Sequence, residues 1–534
     1  MSSAEEFLRK AGRKTADRGL RLLKKGKRSA WSLVFSRTGL ITLLIAAQLA
    51  LFAMLAWKLS GYASEYLFLS IAVALPVILG LINSRMDASA KLTWLVLIML
   101  VPVLGIMLLV HSHFDIGHRK LKRKASAIIA ATKHALAQDE AVRERLRREH
   151  PETEGVARYI AKTGCYPVWD GASARYFPQA EPAFEALLED LRGARKFIFL
   201  EYFIIEEGLM WGRILEILAE KAAAGLDVRV LYDGTCEFAR LPSDYPEKLG
   251  RLGIRCQEFS PILPFVSTRF NYRDHRKITV IDGRVAYTGG FNLADEYINR
   301  GCELGRWKDA GIRIEGDAAA SFTLMFLQMW ADEKELAALD MAKYRAEKAP
   351  DARGFLIPFG DSPVDRYRVG ESVYMSILNR AHHYVHIMTP YLILDAEMET
   401  ALRLAAELGV DVKIILPGTN DNLFADALAR SHYRALLESG VKLYEYTPGF
   451  IHSKVFVSDG GRAVVGTINL DYRSLSHHFE CGVFLRDAPC IREIEADFDA
   501  TLKECRRITR RAVRKEKRSI RLLGILLKVI APLM

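Results

Sequence analysis

An α/β fold in two similar halves, preceded by membrane helices, is predicted by three observations. Charge-free apolar runs crowd residues 38–110, strand-like and helix-like patterns alternate from about residue 156, and one polar motif occurs twice at identical spacing. In chain order this predicts a basic N-terminal segment (1–38), a transmembrane region (39–114) and a charged helical linker (115–155). Two α/β halves (156–345 and 346–492) and a basic amphipathic tail (493–534) follow.

The net charge of +11 sits at the two ends. Residues 1–38 contribute +8 and residues 503–528 contribute +9, leaving −6 for the rest. An enzyme acting on nucleic acid would spread positive charge over its substrate face. This distribution instead suits contact with anionic membrane lipids, and no nucleic-acid partner is expected. The seven cysteines (165, 236, 256, 302, 481, 490, 505) form no C-x-x-C pair, as expected of reduced thiols in a cytosolic or membrane-flanking setting. His111, His113 and His118 cluster too loosely for a zinc site and read as an interfacial loop.

Three charge-free stretches, 38–57, 66–84 and 92–110, each approach the roughly 20 apolar residues needed to cross a bilayer. They predict a multi-pass protein of the cell (inner) membrane. Basic clusters at 9–28 and 118–124 both favour the cytoplasmic side, which requires an even number of crossings. The first two stretches are therefore expected to form a hairpin. The third, with Pro102 and Gly105 near its centre, is expected to be re-entrant, leaving the two halves in the cytoplasm. At the other end, "RRITRRAVRKEKRSIRLLGILLKVIAPLM" changes from basic to apolar and is too short to span. It reads as an amphipathic helix lying at an anionic interface.

Between these ends the chain repeats itself. "KFIFLEYFII" (196–205) precedes "ILEILAEKAAAGLDVRVLYDG" (214–234), and "YVHIMTPYLI" (384–393) precedes "ALRLAAELGVDVKIILPG" (401–418): strand, helix, turn, strand in each case. Each unit is followed by a hairpin with an Asp-Gly turn, 271–292 and 449–474. His275, Lys277, Asp282, Gly289 and Asn292 in the first match His452, Lys454, Asp459, Gly466 and Asn469 in the second, as H-x-K-x4-D-x6-G-x-x-N. Eleven residues beyond each Asn stands a Glu, Glu303 and Glu480. His and Lys two residues apart share one face of a strand. Turn chemistry accounts for the Gly and Asp, but neither turns nor strand propensity require His, Lys, Asn and Glu at fixed offsets. A shared active site does.

The duplicated H-x-K-x4-D motif followed by G-[GST]-x-N resembles the phospholipase D superfamily. "HRKITVIDGRVAYTGGFNLADEY", "NLDYRSLSHHFE" and the terminal "APLM" are similar to its bacterial cardiolipin synthases. Gly290 stands where the superfamily often has Ser, and His478 where many members have Asn. The resemblance implies two α/β/α sandwich halves whose motifs face one pocket. It implies that one His, by family habit His275, attacks phosphorus to give a phosphohistidine. The other, His452, protonates the leaving oxygen and later serves as base. Lys277 and Lys454, with Asn292 and Asn469, would hold the non-bridging oxygens. Glu303 and Glu480 would each accept the far ring N–H of a His. Asp282 and Asp459 would organise the turns. With two Lys supplying fixed charge, no metal or cofactor is expected.

The resemblance sharpens the lipid substrate to two phosphatidylglycerols, one giving its phosphatidyl group to the other with loss of glycerol. A hydrolase, or a transferase using another alcohol, would carry the same motifs. A membrane-tethered nuclease conflicts with the −6 balance, and a dead scaffold with the intact His, Lys and Asn of both halves.

Overall fold

The computed structural model describes residues 63–84, 86–100, 102–113, 116–236, 240–261 and 272–533, plus five isolated positions between 50 and 58. In its first helix the side chains are described from Ala72 onward. The basic segment 1–38 and nearly all of the first predicted span, 38–57, lie outside the described residues.

Each half is built on a mixed sheet with the same strand order. In the first it runs Ala172–Phe177, Gly311–Gly316, Val285–Gly289, Lys277–Ile281, Phe197–Tyr202, Asp227–Asp233 and Arg255–Phe259. In the second it runs Phe355–Asp361, His478–Arg486, Arg462–Gly466, Val455–Ser458, Tyr384–Met388, Asp411–Pro417 and Lys442–Tyr446. The parallel pairs come from the strand–helix–strand units read in the sequence, and their register repeats: Phe197 opposes Asp227, and Tyr384 opposes Asp411. Central strands are apolar because helices cover the sheet. Phe197–Tyr202 is buried throughout, and the helix Ala180–Gly193 lays Ala183, Phe184, Leu187, Leu188 and Leu191 into the core.

The second sheet continues past residue 492. The helix Ile491–Lys503 buries Ile494 and Phe498, and the strand Cys505–Arg507 pairs with Lys442–Tyr446. The first part of the predicted tail is thus a working edge of the second half.

Two short exchanges join the halves. Arg273–Asp274 pairs in parallel with His478–Phe479, and Gly449–Ile451 pairs in parallel with Arg306–Lys308. Each exchange lies immediately before a motif His, so His275 N donates to Phe479 O at 2.9 Å and His452 N to Lys308 O at 2.7 Å. Arg276, on the opposite face from its two neighbours, reaches the backbone carbonyls of Glu480, Met325 and Asp361.

Among the described residues no helix is long and apolar enough to cross a membrane. The third stretch breaks before Pro102 into the helices Ala88–Leu100 and Pro102–His113. At about 1.5 Å per residue, neither reaches the roughly 30 Å of a hydrocarbon core. The chain folds back where Pro102 was expected to interrupt it, packing Trp94 and Ile98 against Ile106 and Leu108. The second stretch falls on the helix Ala63–Ile82, whose described side chains, 72–82, join the same small cluster through Val77, Ile78 and Leu81.

Candidate active site

The exchanged segments bring the two H-x-K pairs into one buried site. His275 and His452 are each 7% exposed, and Lys277 and Lys454 each 1%. His275 Nδ1 lies 2.8 Å from Glu480 Oε1, and His452 Nδ1 lies 2.7 Å from Asp309 Oδ2. Each histidine therefore rests on a carboxylate from the opposite half. With Nδ1 held by a carboxylate, a neutral imidazole keeps its lone pair on Nε2, the nitrogen left for chemistry. Lys277 Nζ donates to the His275 carbonyl at 2.6 Å, and Lys454 Nζ donates to the His452 carbonyl and lies 2.9 Å from His452 Nδ1.

Burial, then the charges of Lys277 and Lys454, hold the His275 pKa well below its ordinary value. His452 is lowered in the same way by burial, Lys454 and Lys277. That both ammonium groups act on both rings is the electrostatic mark of a single site. Burial in turn depresses Lys277 to about 8 and Lys454 to about 7, and raises the Asp309 carboxyl to about 7 against the pull of Lys454.

Glu303 is not the counterpart of Glu480, which corrects the equal-offset expectation. It is exposed in the loop between the turn Asp295–Ile298 and the strand Arg306–Lys308. The strand register identifies the true counterpart: Gly289 opposes Gly311 and Gly466 opposes Gly482, so Asp309 and Glu480 occupy equivalent positions. The first half has six extra residues between its Asn and its carboxylate, which defeats counting from the Asn. The signal that finds the pair is acid-x-Gly, Asp309-Ala310-Gly311 and Glu480-Cys481-Gly482.

The two carboxylates are seated differently. Thr467 Oγ1 donates to Glu480. The equivalent of Thr467 is Gly290, where a Cβ would lie 1.9 Å from Asp309 Oδ1 and 2.7 Å from the His452 carbonyl. The departure from Ser at 290 thus makes room for the Asp309–His452 pair.

Asn292 lines the site with its amide largely committed: Oδ1 accepts from Ile204 N and Nδ2 donates to Tyr297 OH. Asn469 is buried, hydrogen-bonds Asp471, and keeps Oδ1 without a partner. His478 adds a third ring, 5.3 Å from His275 between centroids. Arg473 Nε donates to its Nε2 at 3.2 Å, and its Nδ1 lies 3.7 Å from Glu480 Oε1. Ligand atoms of His275, His478 and Glu480 all fall within 4.8 Å of one another, a spacing a metal ion could use, although Lys277, Lys454 and Arg473 oppose a cation there.

Asp282 and Asp459 stand apart from this site. Each follows its motif Lys by five residues, roughly 17 Å along an extended strand. Both adopt the left-handed conformation (φ 55° and 52°) that opens the turn. Asp282 accepts from the amides of Arg195, Lys196 and Phe197, and Asp459 from those of His382, His383 and Tyr384, so each clamps the start of the neighbouring strand. Asp282→Ala should therefore cost about 1–3 kcal/mol in denaturant unfolding, from the amides left unpaired. Turnover of the folded fraction should stay within a few fold of wild type; loss of activity without loss of stability would contradict this placement.

With the geometry in place, comparison with known proteins defines the class. The family model described as "Cardiolipin synthase, PLD-like domain" matches residues 187–330 and 374–502. A Halalkalibacterium halodurans protein named cardiolipin synthase is 31% identical, over 83% of this chain and 88% of its own. "Cardiolipin synthase 2" of Bacillus anthracis is 30% identical, over 84% and 87%. A Streptococcus mutans protein of unstated function is 50% identical, over 86% of this chain and 99% of its own. The crystal structure of phosphatidylserine synthase from Haemophilus influenzae superposes with a TM-score of 0.54 at 15% identity, covering 72% of this chain and 98% of that one, a likeness of fold. The chain belongs to the phospholipase D superfamily. Within it, the chain is a cardiolipin-synthase-like protein of the phosphatidyltransferase kind.

Proposed function

We propose that this chain is a cardiolipin synthase: it transfers a phosphatidyl group from one phosphatidylglycerol to the headgroup hydroxyl of a second. The observation that carries this reading is the pair of buried histidines, each on a carboxylate of the other half and each with its motif lysine beside it. In the first step His275 Nε2 attacks phosphorus and the bond to the glycerol oxygen breaks. His452, brought into the step as an imidazolium by the bound phosphodiester anion with its Nδ1–H on Asp309, gives that oxygen its Nε2 proton. In the second, the incoming hydroxyl attacks phosphorus as His452 takes back its proton, and the P–N bond breaks. Lys277 and Lys454 stabilise the charge that builds on the non-bridging oxygens. Cardiolipin as product is supported by the names of the bacillary relatives, and a cytoplasmic, membrane-bound setting by the basic clusters near the apolar segments. Water as acceptor would give phosphatidic acid, and another alcohol a different phosphatidyl ester.

The test is direct. Membranes holding the protein and labelled phosphatidylglycerol should yield labelled cardiolipin and free glycerol with no nucleotide-activated lipid added. Phosphatidic acid as the main product would make the protein a hydrolase, and strict need for a cytidine-nucleotide lipid would end the proposal.

The free site also sets a pH dependence. Burial holds both ammonium groups low, Lys454 at about 7 and Lys277 at about 8, so the free site binds their protons weakly in mildly alkaline solution. A bound phosphodiester anion favours their charged forms, so binding draws protons in. A non-hydrolysable phosphonate should take up protons on binding at pH 8, and its affinity should fall as pH rises through that range. Calorimetry in buffers of different ionisation enthalpy measures both, and proton release would contradict the arrangement.

A further inference from the structure

The C-terminal helix Arg518–Ile530 has apolar residues on two opposite faces. The inward face, Ile520, Leu523, Gly524 and Leu527, packs on the helix Leu423–Glu438. The approach is close: a Cβ on Gly524 would lie 2.4 Å from the Ala427 carbonyl. The outward face carries Leu522, Ile525, Leu526 and Val529 at helical spacing i, i+3, i+4, i+7, with Leu522, Ile525 and Leu526 each more than half exposed. Single exposed apolar residues are ordinary, but a full stripe is not. The stripe also has neighbours. Thr93 Oγ1 donates to the Val529 carbonyl at 2.6 Å, joining it to the helix Ala88–Leu100, whose Leu92, Met99 and Leu100 are 63%, 76% and 75% exposed. Leu423 and Phe424, also exposed, begin the helix beneath.

Charge frames this surface. Arg510, Arg511, Arg514, Lys515, Lys517, Arg518, Arg521 and Lys528 are all exposed, within a segment of net +9. Beneath it lies the loop that reaches the site. Tyr472 packs on the Ile520–Leu527 cluster, and His477 Nε2 lies 3.2 Å from the Pro532 carbonyl, one residue from His478.

We propose that the outward face of helix Arg518–Ile530, together with helix Ala88–Leu100, is a docking surface for an anionic lipid bilayer, seated in its interface and holding loop 471–478 beside it. An apolar stripe flanked by basic side chains matches the acyl-chain and headgroup layers of such a bilayer. The surface lies parallel to the membrane and crosses nothing. It holds whatever alcohol the active site accepts.

The test uses the full chain with His275→Ala, so that no lipid is consumed. Cys165, Cys256, Cys302 and Cys505 are changed to Ser, and a fluorophore is placed on Leu526→Cys, an exposed position whose replacement should leave the melting curve unchanged. In phosphatidylglycerol vesicles with brominated acyl chains the fluorescence should be quenched about twofold or more. Lys515→Glu and Lys517→Glu should each raise the lipid concentration needed by about fivefold, from roughly 1 kcal/mol per basic residue. A label that brominated lipid leaves bright overturns the proposal. So does a label already shielded from aqueous iodide without vesicles, which would mean that a second copy or residues 1–62 cover the stripe.

Discussion

His275→Ala and His452→Ala are each expected to lower turnover by about 10²-fold at the least, since each removes a group that must move or carry a proton or bond to phosphorus. The two losses should not multiply in the double variant, because either ring alone leaves the two-step route closed. The variants should differ in what they accumulate. With His452 gone, His275 still has its lone pair on Nε2 and its Glu480 contact, so a phosphoenzyme should be trapped from a substrate with a good leaving group. With His275 gone, none should form. Acid-labile label on His452→Ala protein and not on His275→Ala protein is the expected pattern. The reverse would exchange the two roles, and turnover within about tenfold of wild type in either single variant would contradict the shared site.

Asp309→Asn is expected to lower turnover by about 10- to 100-fold, as loss of a carboxylate that orients a working imidazole does. It also leaves the buried Lys454 without its nearest countercharge. The Lys454 pKa should then fall further below 7, and the alkaline limit of any phosphonate binding should move to lower pH. Glu303→Gln, exposed and away from the site, should change neither activity nor pH profile. Equal effects of the two substitutions would revive the offset-based pairing that the strand register replaces. Glu480→Gln should resemble Asp309→Asn in size, with the added loss of the contact that Thr467 makes.

The extent to which the chain announced this architecture follows from distance along the sequence. Strand alternation is local, so H-x-K was legible as two side chains on one face, and the Asp-Gly pairs as turns. The duplicated spacing made two matched α/β halves and a common site readable before any coordinate. Local pattern also placed the break at Pro102, because proline cannot donate within a helix. Pro102 and Gly105 marked this third run as re-entrant; what local pattern could not carry was which side chains meet when the run doubles back. Trp94 and Ile98 pack against Ile106.

The carboxylates show the boundary most sharply. His275 and Glu480 are 205 residues apart, and His452 and Asp309 are 143 apart. Their meeting depends on the two parallel exchanges that carry each motif against the other half, which no periodicity encodes. Offsets from Asn found Glu480 and missed Asp309 because a six-residue insertion leaves the strand register intact while shifting the count. Asp282 and Asp459 open the turns they were expected to organise and also clamp the neighbouring strands, five residues of extended chain carrying them out of reach of phosphorus. The residues themselves determine that two histidines and two lysines repeat at one spacing, which the fold places where a short exchanged strand gives way to a sheet strand. Only the tertiary fold decides which acid holds which ring, because ionisable groups act through space over a few ångströms and not along the chain.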